Sequence, residues 1–210
     1  MNEKLTLFHY WRSSSSWRVR WALKMKKIDG VEYVAVNLLT GESESQTHLK
    51  RNPLGFVPVL QVGEKFLVES VAIIEWLEEL IPSPSLFPGN SYDRAQIRSL
   101  VEIVNAGTQP VQNLTVTDKI TDDEEKRGDW NRFFIRRGLG AYQTLAERSA
   151  GKFSVGDQVT AADLFLVPQL YNAARNEIDV EKEFPLLHRI QSDAQKTAEY
   201  AASNPDAFKP

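Results

Sequence analysis

The chain has 210 residues, of which 42% are hydrophobic and 25% are charged, and its net charge is −3. This composition excludes a mainly disordered chain, and the small acidic excess argues against a general nucleic-acid binder. The chain contains no cysteine, so it has no disulfide and no thiol nucleophile of its own, and any sulfur chemistry must use an imported thiol. With neither an apolar signal segment nor a membrane-spanning run, we expect a soluble, cytoplasmic protein that does not contact membranes.

The first eighty residues carry the signals of a small α/β domain. An alternating apolar run, Leu5–Tyr10, predicts a half-buried strand, and Tyr33–Asn37 predicts a second one. The periodicity of residues 17–27 between them allows a strand or a helix, and the preceding serines favour the helix. The two strands should therefore be parallel. Residues 56–68 then predict a hairpin, and residues 71–80 predict an amphipathic helix.

Four consecutive serines, at positions 13–16, lie at the predicted junction between the first strand and the first helix. A helix N-terminus offers unpaired backbone N–H groups and the positive end of the helix dipole. Serines there can cap the helix, bind an anion or hold a thiolate. One serine suffices for a cap, so four serines flanked by Arg12 and Arg18 point to an anionic or sulfur-bearing ligand.

Two further segments of this domain suggest ligand contacts. Pro58 cannot donate to a strand ladder, so the Val57–Pro58 junction predicts an edge, a bulge or a cis bond. A cis turn would leave the Val57 backbone free to pair with an extended peptide ligand. Glu69 and Ser70 place a carboxylate and a hydroxyl at the predicted start of the third helix, where a capping role for Ser70 would explain them without any ligand.

The pattern changes after a proline-rich stretch at residues 82–90. No strong strand signal follows it, which predicts a domain at 1–83 and an all-helical domain at 88–210. Thr160 and Asp163 precede an apolar run with the spacing of a capping box, and we assign this pair to folding rather than to chemistry. The three histidines are dispersed, so no metal site is expected.

The predicted order, β-α-β-α-β-β-α followed by helices, resembles the soluble glutathione transferase fold, in which an α/β thioredoxin-like N-terminal domain precedes an all-α C-terminal domain. The likeness sharpens at residues 13–20, 52–58, 108–114 and 155–169. Together these segments resemble the zeta class, whose members include maleylacetoacetate isomerases. The serine run with its Trp-Arg-Val-Arg continuation is specific to that class, whereas the Val-Pro turn and the capping box mark the wider superfamily.

The resemblance implies a glutathione-dependent cis–trans isomerase of maleylacetoacetate-like cis-enediones in tyrosine and phenylalanine catabolism. The implied mechanism is thiolate addition, bond rotation and elimination, with glutathione regenerated as a cofactor. It also implies a small anionic electrophile as substrate and a homodimer, for which the apolar first and third helices leave surface that a partner could share. Two alternatives stay open: a transferase that conjugates or dehalogenates small electrophiles, and a non-catalytic binding protein of the same fold.

The resemblance also implies which residues do the chemistry. The glutathione sulfur would lie at Ser13, with Ser14 and Ser15 completing the catalytic group. Ser15 stands where the family usually has cysteine, so any contribution of that thiol is lost. Arg12 and Arg175 would hold carboxylates of the substrate.

Glutathione itself would be bound by residues of both domains. The backbone of Val57, before a cis Pro58, would pair with the cysteinyl unit, and the pair at 69–70 would take the γ-glutamyl end. A glutamine is common at position 69 in the isomerases, and here it is replaced by glutamate. The implied glutathione-binding residues are Ser13, Ser14, Val57, Pro58, Glu69, Ser70, Gln109 and Asn113.

Overall fold

The computed structural model describes residues 3–210, which form two compact units. The first unit runs to Ser85 and also includes Ala198–Pro210, whereas the second is Leu86–Thr197. The sequence prediction placed residues 198–210 with the helical domain, and the structure differs because this tail packs on the first helix. The Trp17 indole N–H donates to the Ser203 hydroxyl at 3.3 Å, an interaction between residues 186 positions apart. Among the described residues, no helix is both long and apolar enough to cross a membrane.

The first unit is built on a mixed four-stranded sheet with the order β2-β1-β3-β4. Its strands are β1 (Leu5–His9), β2 (Glu32–Ala35), β3 (Val59–Val62) and β4 (Lys65–Val68). β1 pairs with β2 in parallel, which confirms the predicted strand-helix-strand unit. β1 pairs with β3 antiparallel, and β3 and β4 form the predicted hairpin.

Helices α1 (Ser14–Met25), α2 (Gln46–Leu49) and α3 (Ser70–Leu80) complete this unit, with a short helix in the tail, Ala198–Ala201. Residues 17–25 are helical, as the serine cap predicted. Nearly the whole of α1 is buried, including both of its tryptophans. Burying large apolar side chains of this kind contributes about 2–3 kcal/mol each before entropy costs. Because the rest of α1 is firmly packed, the position of its first turn is fixed.

Within the part of the chain that the structure describes, the second unit contains no strand: it consists of helices, one 3₁₀ turn at Pro110–Gln112 and an isolated β-bridge between Ala150 and Gly156. In chain order its helices are α4 (Ser91–Asn105), α5 (Leu114–Ile120), α6 (Glu124–Ala146), α7 (Ala161–Arg175), α8 (Val180–Glu183) and α9 (Pro185–Ala194), so that the tail helix is α10. α7 is buried from residue 161 to residue 170. The predicted thioredoxin-like domain and helical domain are both confirmed as fold classes.

The predicted capping box at the start of α7 is present. The fully buried Asp163 carboxylate accepts the backbone N–H groups of Thr160 and Ser154, both at 2.8 Å. Burial raises the pKa of the Asp163 carboxyl, and the hydrogen bonds oppose that rise. These bonds join the first turn of α7 to the residues before it, as a capping box does.

Candidate active site

The sheet register brings three predicted site segments together at one end of the strands in the first unit. Phe8 of β1 lies opposite Val59 of β3, and Val59 in turn lies opposite Val68 of β4. The chain leaves β1 just before the serine run, enters β3 just after residues 57–58 and leaves β4 just before residues 69–70. Because neighbouring strands lie about 5 Å apart, these three segments are close in space.

The serine run forms the start of α1. Ser13 is the N-cap, and its hydroxyl oxygen accepts the Ser16 backbone N–H at 3.1 Å. The hydroxyl hydrogen of Ser13 therefore remains available to a ligand. Ser14 is 6% exposed and Ser15 is half-buried, and within residues 3–210 neither hydroxyl makes a hydrogen bond. The first turn of α1 contains no acidic residue, so nothing there offsets the positive end of the helix dipole.

The Val57–Pro58 peptide bond is cis, which was one of the three arrangements that the sequence allowed. Neither the Val57 N–H nor its C=O has a hydrogen-bond partner among residues 3–210. The preceding carbonyl, that of Phe56, accepts His48 Nε2 at 3.0 Å and Asn52 Nδ2 at 3.1 Å. A fixed backbone segment with an unpaired donor and acceptor suits antiparallel pairing with a short peptide.

The third segment differs from its prediction. Ser70 does not cap α3, because Glu69 occupies the N-cap position and Ser70 is already helical. The buried Ser70 hydroxyl instead accepts Arg18 Nη1 at 3.2 Å, which ties α3 to α1. Glu69 is exposed and has a φ of 67°, a conformation that costs a non-glycine residue of order 1–3 kcal/mol and that concentrates at functional sites. No residue pattern predicts this backbone conformation at a glutamate.

Arg20 is a buried residue of this region that sequence reasoning did not select. Its guanidinium donates to the carbonyls of Tyr10 at 3.3 Å, Trp11 at 3.1 Å and Ser203 at 2.9 Å. It also contacts His9 Nδ1 at 3.2 Å. Burial lowers the pKa of Arg20 to about 9. The sequence signal for it is a pair of arginines, Arg18 and Arg20, that alternate with large apolar residues in the predicted first helix.

The remaining predicted residue of this unit, Arg12, is half-buried beside the serines, and its guanidinium carbon lies 5.3 Å from the Trp11 ring centroid. It is one residue before the N-cap of α1. A cation at this position adds to the positive potential of the helix start.

The second unit holds the other three predicted residues. Gln109 precedes a 3₁₀ turn at Pro110–Gln112, and Asn113 is the N-cap of α5, where its side-chain oxygen accepts the Thr115 N–H at 3.3 Å. Arg175 is exposed in the last turn of α7, 5.9 Å from the Tyr171 ring. The turn that carries Gln109 is anchored to α7, because the side-chain amides of Gln112 and Gln169 bond each other reciprocally at 2.7 and 3.2 Å.

Comparison with known proteins gives consistent matches. Residues 3–79 match the family described as glutathione S-transferase, N-terminal domain. The maleylacetoacetate isomerase of Dictyostelium discoideum is 39% identical over 207 residues, covering 96% of this chain and 94% of that protein. A crystal structure of maleylacetoacetate isomerase from Anaeromyxobacter dehalogenans with glutathione bound in the active site is 46% identical, with a TM-score of 0.87, and the match covers 97% of this chain and 96% of that one.

A second solved structure extends the range of relatives. The holo structure of a maleyl pyruvate isomerase, described as a bacterial glutathione S-transferase of the zeta class, is 33% identical with a TM-score of 0.92. That match covers 96% of this chain and 97% of the other. The similarity therefore spans both units.

The contact between Arg20 and His9 leads to a prediction about pH and stability. Burial, and then the charge of Arg20, lower the pKa of His9 from 6.5 to about 4. Between pH 6.5 and pH 4, His9 is protonated in the unfolded chain but stays neutral in the folded protein. The free energy of unfolding therefore falls as the pH falls. The loss should reach about 3 kcal/mol near pH 4. Urea unfolding of the unaltered protein and of His9→Asn across this range measures it.

The His9→Asn variant serves as the reference curve, because it lacks only this histidine and keeps every other titrating group, including His48 and His188. We expect the stability of the unaltered protein to fall relative to His9→Asn by this amount between pH 6.5 and pH 4. Parallel curves for the two proteins would contradict a neutral, buried His9.

Proposed function

The chain belongs to the zeta-class glutathione S-transferase and maleylacetoacetate isomerase family, and on that premise we propose that it is a glutathione-dependent cis–trans isomerase of cis-enedione carboxylates. The observation that carries the proposal is that three groups lie at the same end of the sheet: the serine hydroxyls, the backbone of Val57 and Glu69 at the start of α3. Fold similarity alone would not establish an activity. The polar groups at the same end of the sheet support the proposal beyond the fold, because they are of the kinds that could bind a thiol tripeptide.

Glutathione fits the groups of the first unit. The serine hydroxyls suit its sulfur, since each can donate a hydrogen bond to a thiolate. The free N–H and C=O of Val57 match the backbone of its cysteinyl unit. Ser70 and the exposed Glu69, at the start of α3, suit its γ-glutamyl end, where the helix N-terminus favours the carboxylate and Glu69 the ammonium.

When bound, glutathione supplies the thiolate that adds to the cis double bond and is eliminated after rotation, so it is not consumed. The protein's task is to keep that sulfur ionised. A thiol has an ordinary pKa of about 8.5, and lowering it by two units requires roughly 2.7 kcal/mol of preferential stabilisation. Hydrogen bonds from Ser13 and Ser14, together with the unopposed dipole of α1, are of that size.

Arginines supply the second function, holding an anionic substrate. Arg12 lies next to the serines in the first unit, and Arg175 ends α7 in the second. A guanidinium binds a carboxylate through two parallel hydrogen bonds and stabilises negative charge that develops on a conjugated carbonyl. Related proteins carry the names maleylacetoacetate isomerase and maleyl pyruvate isomerase, so we propose the cis-enedione acid as the shared substrate class.

The activity is tested with maleylacetone, whose absorbance decays on isomerisation, with and without reduced glutathione. We expect turnover only with glutathione, whose concentration should stay constant. The double variant Ser13→Ala, Ser14→Ala should raise the thiol pKa and so lower kcat about tenfold or more. At a pH below the pKa, each unit of increase in the thiol pKa lowers the thiolate fraction tenfold. The single variants then identify which hydroxyl acts on the sulfur.

Matched controls separate chemistry from folding. Asn90→Ala removes the N-cap of α4 and should cost stability but not kcat. For the substrate, Arg175→Gln should raise KM, whereas Arg148→Gln, at another exposed arginine of the same unit, should leave it unchanged. Stoichiometric loss of glutathione would identify a conjugating transferase instead, and failure to bind glutathione would identify a non-catalytic protein.

We further propose that the protein is a homodimer, as the family resemblance implies. The apolar side chains of α1 are buried inside the first unit, so that helix cannot supply the interface. Phe66 of β4 and Leu80 of α3 are 39% and 41% exposed and support an interface on this unit. Sedimentation equilibrium should give a dimer that Leu80→Glu weakens and Leu39→Glu does not. A monomer at micromolar concentration would contradict the proposal.

A further inference from the structure

Arg20 is a buried cation that no carboxylate neutralises within residues 3–210. Its side chain is fully buried in the first unit, and its polar partners are the Tyr10, Trp11 and Ser203 carbonyls and His9 Nδ1. The neutral ring of Phe208 covers it at 4.7 Å. Buried charges are normally paired, because desolvation costs several kcal/mol per ion. A lone buried cation therefore needs an explanation.

Backbone carbonyls link Arg20 to the loop that leads into the serine run. The Tyr10 carbonyl accepts Arg20 Nη1 at 3.3 Å and also the Ser13 backbone N–H at 3.0 Å. The next carbonyl, that of Trp11, accepts Nη2 of Arg20 at 3.1 Å. One carbonyl group thus separates the guanidinium from the backbone nitrogen of the N-cap residue, on the strand-to-helix loop that carries Arg12 and the serines.

We propose that Arg20 is a positioning residue of the glutathione site, holding the loop before the serines and stabilising the bound thiolate with its unpaired buried charge. The inference rests on the proposed function and names a component of it. Arg20 does not touch the thiol; it acts through the loop and through the electrostatic potential at Ser13.

The charge of Arg20 acts on the glutathione sulfur because no described neighbouring group neutralises it and because Arg20 is buried away from water. The other titratable or charged groups facing Arg20 or the aromatic rings around it are His9 on β1, Arg12 before α1, Tyr33 on β2, Lys24 on α1 and Lys209 in the tail. His9 is neutral at pH 7 because burial lowers its pKa to about 4, and burial raises the pKa of Tyr33 above its ordinary value. None of them is an anion at neutral pH, so the local potential stays positive.

The test places an anion beside Arg20 without removing it. His9→Asp sets a carboxylate near the position of Nδ1, 3.2 Å from Nη1, whereas His9→Asn sets a neutral amide of the same shape there. The measured quantity is the pKa of glutathione in the binary complex, from the ultraviolet absorbance of the thiolate. We expect the pKa in His9→Asp to exceed that in His9→Asn by about one unit.

A merely structural role would give a different pattern. If the charge acts as proposed, kcat measured below the thiol pKa falls about tenfold in His9→Asp relative to His9→Asn, while KM for glutathione stays the same. Equal thiol pKa values in these two variants would overturn the proposal. Arg20→Met should raise the thiol pKa in the same direction, and if it does not fold, the pair at position 9 decides alone.

Failure of the proposed function is recognised separately. The unaltered protein must first bind glutathione and lower its thiol pKa. If it does not, the isomerase proposal and this inference both fail. If it does, but His9→Asp and His9→Asn behave alike, only the role of Arg20 is refuted.

Discussion

The site depends on the register of three strands at Phe8, Val59 and Val68. Because β3 runs antiparallel to both β1 and β4, this register places the end of β1, the beginning of β3 and the end of β4 at the same end of the sheet. All five residues of β1 and three of the four residues of β3 are buried, so a shift in register would misfit core side chains on both faces of the sheet, and core packing enforces the register. The serine cap of α1, the Val57 backbone and the start of α3 therefore meet because of apolar contacts that have no part in the chemistry.

On this frame the protein concentrates positive potential and avoids negative charge. The start of α1 has no acidic residue in its first turn, and Arg12 and Arg20 flank it. Burying Arg20 costs several kcal/mol, which its hydrogen bonds offset, since bonds to a charged group contribute about 1.5–3 kcal/mol each. The pKa of about 9 shows that part of the cost persists. Within residues 3–210 no carboxylate lies against this cation, and the positive potential that remains suits a site that would bind a thiolate.

Local patterns allowed much of the fold and part of the site to be predicted. The Ser13 cap, the parallel unit around α1 and the capping box at Asp163 follow from residues close in sequence. What could not be predicted depends on contacts between distant residues. Arg20 meets Ser203 across 183 positions, which moves the tail to the first unit, and Ser70 is occupied by Arg18 rather than by the α3 backbone. Periodicity describes which face of a helix is buried, but not which polar group a buried arginine will find.

The central claim is that the serine-led start of α1 holds the sulfur of glutathione, and a crystal structure of the complex tests it most directly. We expect the sulfur within hydrogen-bonding distance of the Ser13 or Ser14 hydroxyl, with the cysteinyl backbone paired to Val57. A sulfur bound elsewhere, out of reach of every hydroxyl between residues 13 and 16, would contradict it.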